Sequence, residues 1–155
     1  MRLPELVDLV GQQLDNDERG YLVGGAVRDL VLDRGAQDYD FAILRDPKRI
    51  AKKIADYLDG AFYVMDPLRS TCRVIYQGNN NSPRVIDFSA LQGDINNDLQ
   101  KRDFTINAMA IDLSYPEKVI DPLKGGRDLQ EKWLRPTSSS SFQNDAVRVI
   151  RAARY

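Results

Sequence analysis

Apolar residues recur along this chain with two periods, and the switches between them predict its elements. Leu6, Leu9, Val10 and Leu14 fall at helical spacing, so residues 4–15 are expected to form an amphipathic helix with Pro4 near its first turn. Residues 21–23 read as a short strand ending at Gly24-Gly25, followed by a short helix over AVRDLVL. A second strand is expected over 40–44, then a helix over 47–59 that Pro47 can start. The runs at 61–65, 71–76 and 84–89 are β-branched or apolar and are separated by turn chemistry, which predicts three more strands, with GNNNSP at 78–83 as a loop. A polar helix near 94–101 precedes strands at 109–113 and 119–120, joined by a turn at Tyr115-Pro116. The serine run 138–141 reads as a hinge. DAVRVIRAARY beyond it reads as a helix that reaches Tyr155 without a stop signal, so a longer protein is expected to continue past it. The fold class is therefore α/β, or α+β: a small mixed sheet with flanking helices.

Composition narrows the chemistry. The 155 residues carry 22 basic and 23 acidic side chains, a balance that excludes a wholly basic nucleic-acid binder while allowing a local basic patch. No run approaches the roughly 18 apolar residues of a membrane span, and the N-terminus has no signal-peptide core, so a cytoplasmic protein without a membrane partner is expected. One cysteine, Cys72, excludes an internal disulfide, and the absence of histidine removes the commonest general base and zinc ligand. Any catalysis must run on carboxylates, arginines and bound metal.

The stretch from Tyr21 to Ile43 carries such a set. A strand, Gly24-Gly25 and a helix start together expose backbone N–H groups that a phosphate can approach, and Arg28 on the first turn adds a charged partner. Alone, a glycine pair at that place is also an ordinary tight turn. Asp38-Tyr39-Asp40 sends two carboxylates to one face of a strand, about 7 Å apart along the backbone. Like charges so placed are stable chiefly with a divalent cation between them, and oxygen-only ligands favour Mg2+ held together with substrate phosphates. Two such ions about 4 Å apart would clamp an in-line phosphoryl transfer. Asp87, in RVIDFS, is a candidate third metal-binding carboxylate, and also a plain solvated strand residue.

GGAVRD followed by DYD resembles the active-site signature of the polymerase-β-like nucleotidyltransferase superfamily, in the branch of CCA-adding tRNA nucleotidyltransferases and bacterial poly(A) polymerases. Three later segments fit the same branch in order: KRDFTINAMAI (101–111), DPLKGGRDLQEKWLR (121–135) and FQNDAVRVIRAARY (142–155). They resemble its RRDFTINA motif, its DPxxGxxDLxxxxLR segment and the EDxxR motif that opens its neck helix. Lys101 replaces an arginine, conserving charge, and Asn144 stands where the family has glutamate, which loosens the expected hold on the residues beside it.

The resemblance implies a catalytic head domain over 1–136, then a hinge and the first part of the neck helix over 137–155. It implies Asp38 and Asp40 as catalytic metal ligands, and Gly25 and Arg28 as holders of the triphosphate. Arg102 would contact the nucleotide, with Asp103 and Asn107 shaping the sugar pocket. Asp145, Arg148, Arg151 and Arg154, recurring every third residue, would read the base and bind phosphate, although such a stripe is also a common solvated face. The implied reaction moves a nucleoside monophosphate from CTP or ATP to the 3′ end of tRNA, with Mg2+ and release of pyrophosphate; near-neutral charge then expects most RNA contacts beyond this chain. Poly(A) addition, CC-only or A-only addition share these head motifs. A nucleotide-binding module inactive without its RNA-gripping part is the reading from another class. A small-molecule nucleotidyltransferase would leave RDFTINA and the arginine stripe unexplained.

Overall fold

A computed structural model describes residues 3–78, 81–139, 147–153 and 155. Strands β1 (Gly20–Val23), β2 (Tyr39–Ile43), β3 (Ala61–Asp66), β4 (Thr71–Gln77), β5 (Pro83–Ala90), β6 (Ala110–Asp112) and β7 (Val119–Ile120) form one sheet in the order β3-β4-β5-β2-β1-β6-β7. β2 and β5 run parallel, and the remaining neighbours are antiparallel, which makes the sheet mixed, as expected.

Period-two alternation divides the strands between two layers. Leu22 of β1, Tyr39, Phe41 and Ile43 of β2, Cys72 and Val74 of β4, and Ile86 and Phe88 of β5 enter one core. Helices α1 (Glu5–Gln12) and α3 (Pro47–Tyr57) cover that face with Val7, Val10, Ile50, Ala51, Ile54 and Ala55. α3 starts where it does because Asp46 accepts from the Arg49 N–H at 2.9 Å and Pro47 occupies the first turn. Each large side chain fully buried there stabilises the fold by roughly 1.5–3 kcal/mol. On the other face, Tyr21, Val23, Ala42 and Ala110 pack with Ile95 and Leu99 of α4 (Ile95–Gln100).

Helix α2 (Gly25–Val31) follows β1, α5 (Gly125–Glu131) packs on a single 3-10 turn at Thr105–Asn107, and α6 (Val147–Ala152) lies in the C-terminal segment. α5 has no counterpart among the expected elements. It opens on two glycines and is flanked by Lys124 and Lys132 in the left-handed region, at φ 59° and 57°, so neither propensity nor capping chemistry announces it. Its first glycine is required by packing, because a Cβ on Gly125 would lie 2.0 Å from the Thr105 carbonyl oxygen. α1 stops at Gln12 rather than at 15, and Leu14 packs against the core from the turn beyond it. No helix among the described residues is long and apolar enough to cross a membrane.

Candidate active site

Strand register lines up a row of side chains across the sheet. Arg73 of β4 pairs with Asp87 of β5, Asp87 with Asp40 of β2, and Asp40 with Val23 of β1. The next residues, Phe41 and Phe88, turn into the core and stack with centroids 5.3 Å apart, so alternation sends Asp40 and Asp87 to the opposite face. Asp38 lines the same cleft as Asp40, and Tyr39 between them is buried on the other side. The DYD spacing thus does what period two requires.

The cleft has a volume of about 410 Å3, and Gly24, Gly25, Arg28, Arg102, Asp103, Asn107, Arg151 and Tyr155 complete its wall. Gly24 adopts φ 75° and ψ −141°, a conformation open to glycine. A Cβ there would sit 3.1 Å from Arg102 Nη1 and 3.2 Å from Asp40 Oδ2, so the bare turn is what lets both side chains close in. At Gly25 a Cβ would make ordinary contact with Arg28. Beyond it the first-turn N–H groups of α2 lack intrahelical acceptors, as at any helix start.

Charge is concentrated on the sheet side. Asp40 is solvent-exposed at the cleft mouth, yet packed protein surrounds its carboxyl, and this desolvation raises its pKa above the usual aspartate value. Arg102 opposes that rise, while the charges of Asp87 and Asp38 add to it. Asp87 is held by Arg73 through two hydrogen bonds of 2.8 Å, and that pair raises the Arg73 pKa. Arg102 is anchored by Asp98 one helical turn earlier, at 3.1 Å.

On the far wall side chains hold one another. Arg28 donates from Nε to Asp29 at 2.9 Å and from Nη1 to Asn107 Oδ1 at 2.8 Å, and lies over the Tyr155 ring, 5.2 Å from its centroid. Asp103 is buried; burial pushes its pKa up, but hydrogen bonds from the Asn107 amide, the Phe104 N–H and Arg151 prevail and hold it below the usual value. Arg151 reaches Asp103 Oδ2 at 3.2 Å, and Arg148 donates to the carbonyls of Lys101 and Arg102. The C-terminal helix is thereby fastened to the 101–107 segment. Thr105 is tied to α5 as well, through its hydroxyl to Asp128, which Arg135 also grips.

Of the residues expected at a site, Asp38, Asp40, Gly25, Arg28, Arg102, Asp103, Asn107 and Arg151 line the one cleft. Asp87 adjoins it in register but faces Arg73, and Arg148 braces the wall from the backbone side. Asp145 and Arg154, like Asn144, lie outside the described residues. Sequence reasoning passed over Arg73, Asp98 and Tyr155. Asp98 was findable from its four-residue spacing to Arg102; the other two emerge only from register and tertiary contact.

Comparison with known proteins points the same way. Over 136 residues, covering 87% of this chain and 31% of the relative, the chain is 36% identical to a CC-adding tRNA nucleotidyltransferase of Geobacter sulfurreducens. Over 134 residues, 86% of this chain and 29% of the relative, it is 37% identical to an A-adding tRNA nucleotidyltransferase of Deinococcus radiodurans. A solved CCA-adding enzyme in complex with ATP superposes with a TM-score of 0.83 at 33% identity, covering 97% of this chain and 37% of that one. The chain thus spans about a third of the length of the curated relatives it matches. The poly A polymerase head domain family matches residues 20–80 and 69–135, most of the fold that builds the cleft, and the chain belongs to that family.

Proposed function

We propose that this chain is the catalytic head of a tRNA nucleotidyltransferase, transferring nucleoside monophosphates from CTP and ATP to the 3′ end of tRNA to build the CCA terminus. In this reading residues 1–136 form the head and 137–155 the hinge and first part of the neck. The observation that carries it is one cleft with two carboxylates, Asp38 and Asp40, on its sheet wall, Arg102 beside Asp40 and Arg28 on the far wall. Both kinds of relative, CC-adding and A-adding, support transfer to tRNA.

The donor set fits a hard divalent cation. It consists of carboxylate oxygens, and the rise in the Asp40 pKa records burial plus crowding by Asp87 and Asp38 that a cation would relieve. Among the described residues no three acidic, histidine or cysteine side chains cluster as a ready-made metal cage, so most ligands beyond Asp38 and Asp40 would come from substrate, as is usual for Mg2+. Asp87 would join them by giving up one Arg73 hydrogen bond. When bound, Mg2+ would supply activation of the attacking hydroxyl and neutralisation of charge on the phosphates.

The remaining work falls to the chain's own groups. Arg28 keeps N–H donors beyond those given to Asp29 and Asn107, and with the Gly25 turn it would hold the triphosphate. Arg102, steadied by Asp98, would orient the α-phosphate side beside Asp40. The RNA 3′ oxygen forms the new bond to the α-phosphorus, the bond to the leaving oxygen breaks, and pyrophosphate and the hydroxyl proton are released. Asp103 and Asn107 would bound the sugar, and Asp145 would read the amino group shared by cytosine and adenine, while Arg148 would have to leave the Lys101 and Arg102 carbonyls to reach the ring nitrogen.

Incubating the protein, in its longest natural form, with tRNA transcripts ending before C, after C and after CC, with each NTP separately, tests the proposal. C addition to the first two and A addition to the third is expected. Runs of A on any RNA would replace it with poly(A) synthesis, and C alone or A alone would restrict it to a partial adder.

A further inference from the structure

The Asn107 side chain is fully committed, and its orientation dictates the chemistry of its neighbour. Its Oδ1 accepts from Arg28 Nη1 at 2.8 Å, and its Nδ2 donates to Asp103 Oδ1 at 3.1 Å. A guanidinium can only donate and an ionised carboxylate can only accept, so the amide cannot be turned end for end. The amide nitrogen also lies 2.9 Å from Tyr155 Oη, and there the phenol oxygen must accept. A phenol that accepts still carries its own hydrogen. Among the described residues no acceptor takes that hydrogen, and Tyr155 stands on the cleft wall.

What could take it follows from the neighbours. Around the phenol the charges of Arg28, Asp29, Asp103 and Arg151 cancel in pairs, so a neutral acceptor suits it better than a phosphate. An alcohol oxygen is such an acceptor, and the O–H of Tyr155 on the cleft wall can reach one on a bound sugar. Resting on the nucleotide-binding reading above, we propose that Tyr155 is a specificity residue whose hydroxyl donates to a ribose hydroxyl of the bound nucleoside triphosphate, favouring ribonucleotides over deoxyribonucleotides. The ring is placed independently of that hydrogen bond, by Arg28 over its face and by Phe104 edge-on at 5.8 Å, so the hydroxyl can be removed alone.

Calorimetric titration of the 155-residue chain and of Tyr155→Phe, in Mg2+, with CTP, 2′-deoxy-CTP, 3′-deoxy-CTP and inorganic tripolyphosphate provides the test. Wild type should prefer CTP to at least one deoxy analogue. Tyr155→Phe should shrink that preference by about 2- to 10-fold, the range of one net hydrogen bond, with tripolyphosphate binding and melting temperature unchanged. An unchanged preference would overturn the assignment, and so would equal loss for all four ligands, because the hydroxyl would then act through Arg28. If wild type binds no CTP, the nucleotide reading itself fails, which is seen before any substitution is made.

Discussion

On the sheet side of the cleft Asp40 is placed by backbone register, with Asp38 one residue before its strand, whereas on the far side Arg28, Asn107, Asp103 and Tyr155 are placed by one another. The first wall inherits its precision from a buried sheet, with Phe41 and Phe88 stacked beneath the acids. The second is a polar network in which each member orients the next, so its parts stand or fall together. On the proposed reading, chemistry that needs fixed charges would use the wall set by the sheet. Binding that must accommodate a substrate would use the wall that is assembled from contacts.

The largest effect expected from this division is on the sheet wall. Asp38→Asn or Asp40→Asn should lower nucleotide transfer by at least about 100-fold, since positioned metal supplies several kcal/mol. Melting temperature should not fall, and for Asp40→Asn it should rise, because the neutral amide avoids the desolvation and repulsion that raise the carboxyl pKa. An acid with a raised folded pKa favours folding at low pH and loses that advantage as pH rises through its folded value, so the gain in Asp40→Asn should appear at neutral pH and vanish near pH 3. Retention of more than a tenth of transfer would erase the contrast between the walls.

The far wall should break through packing instead. Gly125→Ala drives a Cβ against the Thr105 carbonyl, and the 105–107 turn carries Asn107, so we expect a loss of about 3 kcal/mol or more in urea unfolding together with weakened nucleotide binding. Unaltered stability would mean that α5 can slide away from the turn without cost.

A smaller, pH-dependent effect sharpens the same comparison. Asp103→Asn should cost about 1–3 kcal/mol at pH 7 by depriving Arg151 and the Phe104 N–H of a charged acceptor. Because hydrogen bonding holds the folded Asp103 pKa below 3.8, that stability is present above 3.8 and is lost as pH falls through the lower folded value. The gap between wild type and variant should therefore close in strong acid; a constant gap would show that charge is not what secures this wall.

The two walls also differ in how far they could be read from sequence. Period two put Asp38 and Asp40 on one face and Tyr39 behind them, and the glycine pair marked the turn, because those signals are local. Arg73 had to wait for register, since nothing within TCRVIYQ says which strand lies beside it. On the far wall, RDFTINA was legible by resemblance, yet the bonds from Asn107 to Arg28 and to Tyr155 span 79 and 48 residues, and no local pattern encodes them. α5 was hidden for a different reason: its glycines satisfy a close approach to Thr105, at the expense of the helix propensity that would have revealed it.

The row from Arg73 through Asp87 and Asp40 to Arg102 has a consequence for how a ligand arrives. With Asp98, which pairs with Arg102, and Asp38 counted, four acids face two arginines, and the row carries a net charge of −2. A bare nucleoside triphosphate approaching it meets repulsion, while one already carrying a divalent cation presents a smaller charge and brings the counter-ion the acids lack. On the proposed reading the sheet wall would act as a filter on ionic form, admitting the nucleotide as its metal complex and turning away the free anion.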